Sequence, residues 1–116
     1  MPSKNKQEKL GLYIPKGAHQ SGDLNIEGFI RIDGSFSGNL FCESALFISA
    51  TGLFEGEADV EEAEISGNYK GNLRVRSRFS LTKSGTFNGL LDAEVASIEA
   101  GSRLSGEVRI SGMGNE

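Results

Sequence analysis

Between Leu24 and Ile110 apolar and polar residues alternate in short runs of period two, the period of a strand with one buried face and not of a helix. The runs recur. An apolar residue, a spacer and a glycine are followed two and four positions later by apolar residues. Phe36-Ser37-Gly38 leads to Leu40 and Cys42, and Phe54-Glu55-Gly56 to Ala58 and Val60. Tyr69-Lys70-Gly71 leads to Leu73 and Val75, Phe87-Asn88-Gly89 to Leu91 and Ala93, and Leu104-Ser105-Gly106 to Val108 and Ile110. A weaker first copy, Gln20-Ser21-Gly22, leads to Leu24 and Ile26. The marker glycines at 22, 38, 56, 71, 89 and 106 are thus 16, 18, 15, 18 and 17 residues apart. A second glycine opens each unit, at 17, 34, 52, 67, 85 and 101.

Each unit carries a second alternating pair as well: Ile30/Ile32, Leu46/Ile48, Ala63/Ile65, Phe79/Leu81 and Ala96/Ile98. Three strand pieces in so few residues leave one to three residues per corner, too few for a crossover helix. The backbone is satisfied when each turn hydrogen-bonds to the next, about 4.8 Å away, so the pattern predicts an all-β, single-domain, triangular parallel β-helix of about six turns. Parallel crossovers are almost always right-handed, and the uneven turns lack the six-residue repeat of left-handed coils, so a right-handed one is expected. Stacking yields inward columns. One is aromatic: Gln20, Phe36, Phe54, Tyr69, Phe87, Leu104. Others begin at Leu24, Ile26 and Ile32. Cys42 falls in the Ile26 column and reads as a small core hydrophobe. The glycines take the corners.

Composition narrows the class. Gly is 16 of 116 residues, about twice the usual share, but Pro is only 2, which is not the make-up of a Pro-rich disordered chain. No apolar stretch approaches the ~20 residues of a membrane-spanning helix, and no basic start with an apolar h-region marks a secretory signal. Cytoplasmic residence is the default expectation. The lone Cys42 forbids an intrachain disulfide. A net charge of −4 argues against nucleic acid as a partner.

The charges fall in register too. One outward column reads Asn25, Phe41, Asp59, Arg74, Asp92, Arg109, and another Glu27, Glu43, Glu61, Arg76, Glu94. Arg74 and Arg76 each lie between acids, and opposite charges on adjacent strands help fix register. The acidic run Glu57-Asp59-Glu61-Glu62-Glu64 therefore reads as a solvated face and not a metal cluster, and Arg74, Arg76 and Arg78 as its counter-ions and not a phosphate patch. Triangular β-helix enzymes would need catalytic or zinc-binding histidines, and His19 stands alone before the first clear turn. No catalytic, cofactor-binding or metal-binding residues are assigned, and the chain is not expected to be an enzyme.

The ends carry the functional expectation. A β-helix finishes in open strand edges and an open core, which soluble monomers cover with caps. The first turn presents Leu24, Ile26, Ile30 and Ile32, the last Leu104, Val108 and Ile110, with only Ser111 to Glu116 following. Docking of such ends builds a polymer. Phe41 and Phe47, at polar-facing positions beside one corner, are the candidate lateral or partner contact. Residues 1–16 are read as a flexible tail, 17–112 as the β-helix and 113–116 as a short second tail. The first tail combines Lys4, Lys6 and Lys9 with Leu10, Leu12, Tyr13 and Ile14. It reads as a segment whose apolar part folds over the first turn; the alternative is a weak membrane anchor.

The stretches "GDLNIEGFIRIDGSFSGNL" (Gly22 to Leu40), "EISGNYKGNLRV" (Glu64 to Val75) and "LTKSGTFNGLLDAEVASIEAGSRLSGEV" (Leu81 to Val108) resemble the bactofilins, bacterial cytoskeletal proteins. The resemblance covers residues 17 to 112 and implies a right-handed triangular β-helix that assembles, without nucleotide, into non-polar filaments. These would scaffold cell-shape, cell-wall or motility machinery, with the chain itself as main partner, cell-wall or motility proteins as others, and the membrane nearby. The runner-up is a non-polymerising β-helical adaptor. The family has disordered tails at both ends, and the second is nearly missing here.

Overall fold

The computed structural model of the chain describes residues 9–111, which hold nine strands and no helix. In chain order these are β1 (Leu10–Ile14), β2 (His19–Ile26), β3 (Phe29–Ile32), β4 (Ser35–Cys42), β5 (Ala45–Ile48), β6 (Leu53–Ile65), β7 (Asn68–Leu81), β8 (Thr86–Ile98) and β9 (Arg103–Ile110). Every pairing is parallel. Two ladders result. One stacks β2, β4, the first halves of β6, β7 and β8, and β9; the other stacks β1, β3, β5 and the second halves of β6, β7 and β8. The chain therefore alternates between ladders and climbs one rung per circuit, a β-solenoid of about six turns.

Three corners shape each turn. The first is the marker glycine inside the strand, with φ between 114° and 142° from Gly22 to Gly106. Its turns pair glycine on glycine, Gly22 to Gly38 and onward to Gly106. The second corner joins the two ladders through one or two residues, such as Glu43-Ser44 or the extra Glu61 within β6. The third comes in two lengths, which accounts for most of the variation in repeat length. Asp33-Gly34 and Ser66-Gly67 are two-residue corners, whereas the stretches starting at Pro15, Ser49, Thr82 and Glu99 take four. The longer ones close as turns: Gly52 N–H donates to Ser49 O over 2.8 Å, and Gly85 N–H to Thr82 O over 2.8 Å. A long corner is followed by a short one from Pro15 to Thr82, so the uneven spacing of the glycines is a nesting of tight corners between wide ones.

The core is the interior of the coil. Phe36, Phe54, Tyr69 and Phe87 stack face to face with centroids 5.1, 4.7 and 5.1 Å apart and planes within 22°. The rung spacing sets the stacking distance, and each such pair adds about 0.5–1.5 kcal/mol beyond its burial. Tyr69, fully enclosed, donates its hydroxyl to Asn72 O over 2.5 Å. Burial pushes its phenol well above the ordinary value. On the other ladder Ile14, Ile32, Ile48, Ile65 and Leu81 form the facing aliphatic column, all buried. Cys42 is buried as expected. Its thiol donates to Gly28 O, and Ser44 N–H donates to its sulfur, each over 3.3 Å, while burial pushes its pKa up. It is a packed, unreactive thiol.

One boundary moves. Leu10, Leu12, Tyr13 and Ile14 were expected in a tail before residue 17, but they form β1, the first rung of the second ladder, in register with Phe29 to Ile32. The physical reason lies in β3 and the corner after it, whose backbone groups need partners: Phe29 N–H donates to Lys9 O over 2.8 Å, and Asp33 N–H and Gly34 N–H to Ile14 O over 2.8 and 3.0 Å. The coil therefore starts at Leu10.

Candidate assembly surfaces

Each ladder ends in a strand with a free edge among the described residues. At the carboxyl end these are β9 and the second half of β8; at the amino end, β1 and β2. The carboxyl end is apolar. Ile98 is 47% exposed, Val95 42%, Ile110 39% and Leu104 37%, and Val108 is half-buried between them. The residues expected at this end, Leu104, Val108 and Ile110, lie in its last strand, and Ile98 and Val95 are exposed beside them on the other ladder. Ile98 is the last member of an inward column, which is the signal in the sequence that marks it as terminal. Val95 stands in register with the outward Arg78, at a position without such a signal.

At the amino end Leu24 and Ile26 are half-buried, as befits a terminal rung. Ile30 and Ile32, expected there as well, are fully buried. They sit one rung in, covered by β1, so they do not belong to the end surface. Their place is taken by Leu12, half-buried, and by Leu10 and Tyr13, both exposed. The two ends also differ in the aromatic column, which finishes on polar Gln20 at one extremity and on Leu104 at the other. Of the basic residues placed in the tail, Lys9 is exposed, and Lys4 and Lys6 lie outside the described residues.

A polar clamp ties the first rung down. Tyr13 Oη donates to Asp33 Oδ2 over 3.0 Å, and Arg31 Nε to Asp33 Oδ1 over 3.1 Å. The Ser49 hydroxyl foremost, helped by Tyr13 and Arg31, holds the Asp33 carboxyl below its ordinary value, against an upward push from burial that is second in size to Ser49. The same hydrogen bond to Asp33 raises the Tyr13 phenol.

The lateral candidates separate. Phe47 is 37% exposed and meets Phe29 edge-on at 5.8 Å. Phe41 is half-buried, and the Arg76 guanidinium lies 5.1 Å from its ring centroid. Arg76 spans two rungs: its Nη2 donates to Cys42 O over 2.7 Å, while its Nε stands 3.6 Å from Glu61 and 3.7 Å from Asp59. The column through Asp59 keeps the expected register, Asp59 beside Arg74 and Arg74 beside Asp92, whereas the expected column of Glu61, Arg76 and Glu94 falls in the irregular corner, where the ladder register shifts. The ion pair of Asp59, however, goes to Arg76, whose longer reach along the corner lets one guanidinium serve two acids and a ring. His19 faces Ser35 across the β2–β4 ladder, its Nδ1 2.7 Å from the Ser35 hydroxyl. Among the described residues no group of three or more His, Cys, Asp and Glu could hold a metal ion.

A parallel coil of about six turns with an aromatic spine is a β-solenoid. The family model of the bactofilins, described as polymer-forming cytoskeletal, matches residues 12–109, and the chain belongs to that family. No curated protein and no solved structure matches it. The matched segment begins within β1, in keeping with the earlier start of the coil.

Proposed function

We propose that this protein is a filament subunit that polymerises end to end, without nucleotide, through its two apolar extremities. The observation that carries the reading is the carboxyl-terminal end, where Ile98, Leu104 and Ile110 are exposed on strands whose outer edges have no partner among the described residues. Burying that surface against another rung recovers about 25 cal/mol per Å² of apolar area and gives the edge backbone new partners. Both gains come from the contact itself, so no hydrolysed nucleotide is needed to drive assembly. Docking of like ends gives a filament without polarity. Carboxyl-to-carboxyl contact is the stronger of the two such junctions, because Gln20 and the polar edge of Tyr13 interrupt the amino end. Such a filament would scaffold cell-shape, cell-wall or motility machinery. Ile110→Asp places a carboxylate in the stronger junction. Sedimentation velocity should show large polymers for the wild type and particles no larger than dimers for the variant. An Ile110→Asp protein that still polymerises like the wild type would contradict the reading.

A further inference from the structure

After each marker glycine two outward columns run along the rod, one residue per rung. Over the first four rungs one reads Asp23, Asn39, Glu57, Asn72 and the other Asn25, Phe41, Asp59, Arg74. Between them lies an open furrow of about 590 Å³ floored by Leu40 and Leu73. Its size falls within the ~300–1,000 Å³ of small-molecule sites. None of Ile98, Leu104 and Ile110 lines it, so the furrow is separate from the carboxyl-terminal end.

The charges along it are unequally committed. Asp59 stands 3.7 Å from Arg76 Nε, and the Arg76 guanidinium lies over the Phe41 ring. Asp23 and Glu57 are exposed and have no ion-pair partner among the described residues. Asn39 Nδ2 donates to Asp23 Oδ1 over 3.0 Å and so orients the first of these carboxylates. The two acids share one column, two rungs apart, which separates them by roughly 10 Å along the rod. What lies between and beside them is uncharged: Asn39, the half-buried Phe41 and the floor at Leu40. On the fourth rung the sign reverses. Arg74 is exposed, lines the furrow and makes no ion pair among the described residues.

From this arrangement we infer that the amino-terminal half of the furrow binds a short linear aliphatic diamine, one ammonium on Asp23 and the other on Glu57. Two carboxylates parted by an uncharged stretch call for two cations joined by an apolar spacer. Each ammonium stands about 2.8 Å from its carboxylate, so a spacer of about four or five methylenes bridges the pair. The methylenes lie over the Leu40 rung and against Phe41. The Arg76 guanidinium beside that ring repels an ammonium there, which keeps the ligand's charges at its two ends. A polyanion meets the same two carboxylates and is turned away. A divalent metal ion concentrates its charge at one point, and among the described residues no group of three or more His, Cys, Asp and Glu could hold one. Arg74 sets the length: a third ammonium reaching past Glu57 meets its guanidinium. Exposed ion pairs are weak and screened, so the dissociation constant is about 1 mM and rises with salt.

The test is equilibrium dialysis of the full chain against labelled putrescine at low ionic strength. It reads monomer and polymer alike, so its outcome is independent of end-to-end docking. Saturable binding of one diamine per chain is expected. Asp23→Asn and Glu57→Gln should each weaken it about two- to five-fold. Butylamine, with the same spacer and a single ammonium, should bind roughly tenfold more weakly, because it lacks the second, intramolecular contact. With the longer triamine spermidine, Arg74→Gln should bind several-fold tighter than the wild type, whereas putrescine binding should change less. All three substitutions fall on exposed side chains, and an unchanged thermal midpoint shows that the variants are folded. Butylamine or magnesium ion binding as tightly as putrescine would reduce the furrow to a general attractor of cations and overturn the inference. Putrescine affinity that survives the Asp23→Asn, Glu57→Gln double variant, or no saturable binding well above the expected constant, overturns it as well. Spermidine binding that ignores Arg74→Gln overturns the length limit.

Discussion

At Gly71 the backbone takes φ 126°, and a β-carbon built there would overlap the carbonyl oxygen of Gly56 on the rung beneath. Two costs therefore fall on one atom. A side chain resists the positive φ by about 1–2 kcal/mol, and overpacking against a fixed carbonyl adds about 1–3 kcal/mol. Gly22 has nearly the same φ, 121°, but nothing within 4 Å of the added carbon, because no rung lies beneath it among the described residues. Gly71→Ala should thus lose clearly more stability than Gly22→Ala in urea unfolding; equal losses would show that stacking of the glycine column is not the constraint. The recurrence of these glycines was legible in the sequence because six copies of one local requirement leave six copies of one residue. The stacking of Phe36, Phe54, Tyr69 and Phe87 was legible for the same reason. What Arg76 does was not: its partners Cys42, Asp59 and Glu61 depend on how a long side chain turns a corner, and period-two alternation says nothing of that.

At the scale of elements, β1 shows where alternation runs out. Leu10-Gly11-Leu12-Tyr13-Ile14 carries no marker glycine of the repeat and follows a run with three lysines, so it reads as a tail. Its inclusion is dictated from outside, by the open edge of β3 and by Asp33. That clamp is titratable. The Asp33 pKa is lowered on folding, so its contribution is complete above the ordinary carboxylate value of about 3.9 and is lost as the pH falls through the lowered one. The Tyr13 pKa is raised, so its share is complete below about 10 and is lost as the pH rises through the raised value. Amide-exchange protection in β1 should therefore fall on strong acidification in the wild type. In Asp33→Asn it should be lower at neutral pH and change less with acid. Protection in β1 that does not respond to the substitution would show that the clamp does not hold that strand. The corner lengths were less legible: the repeat left one to three residues per corner, whereas the wide corners take four, because they close as turns of their own, as from Ser49 to Gly52 and from Thr82 to Gly85.

For the whole molecule the energetics are one-dimensional: each rung contacts its neighbours, and the terminal rungs have one neighbour too few. That imbalance, more than any single residue, connects fold to function, and it was readable as soon as the repeats were counted. Which residues form the ends was less readable, since adding β1 buried Ile30 and Ile32, and the second ladder stops one rung early, at the strand that exposes Ile98. The family to which the chain belongs is described as polymer-forming cytoskeletal, and this supports the proposal that the open rungs dock. The most direct measurement is electron microscopy of the purified wild-type chain in buffer free of nucleotide. Filaments whose subunits repeat at about one rod length, roughly 29 Å for six rungs, are the expected result. Discrete particles of single-subunit size at high protein concentration would contradict the central claim that the open rungs dock.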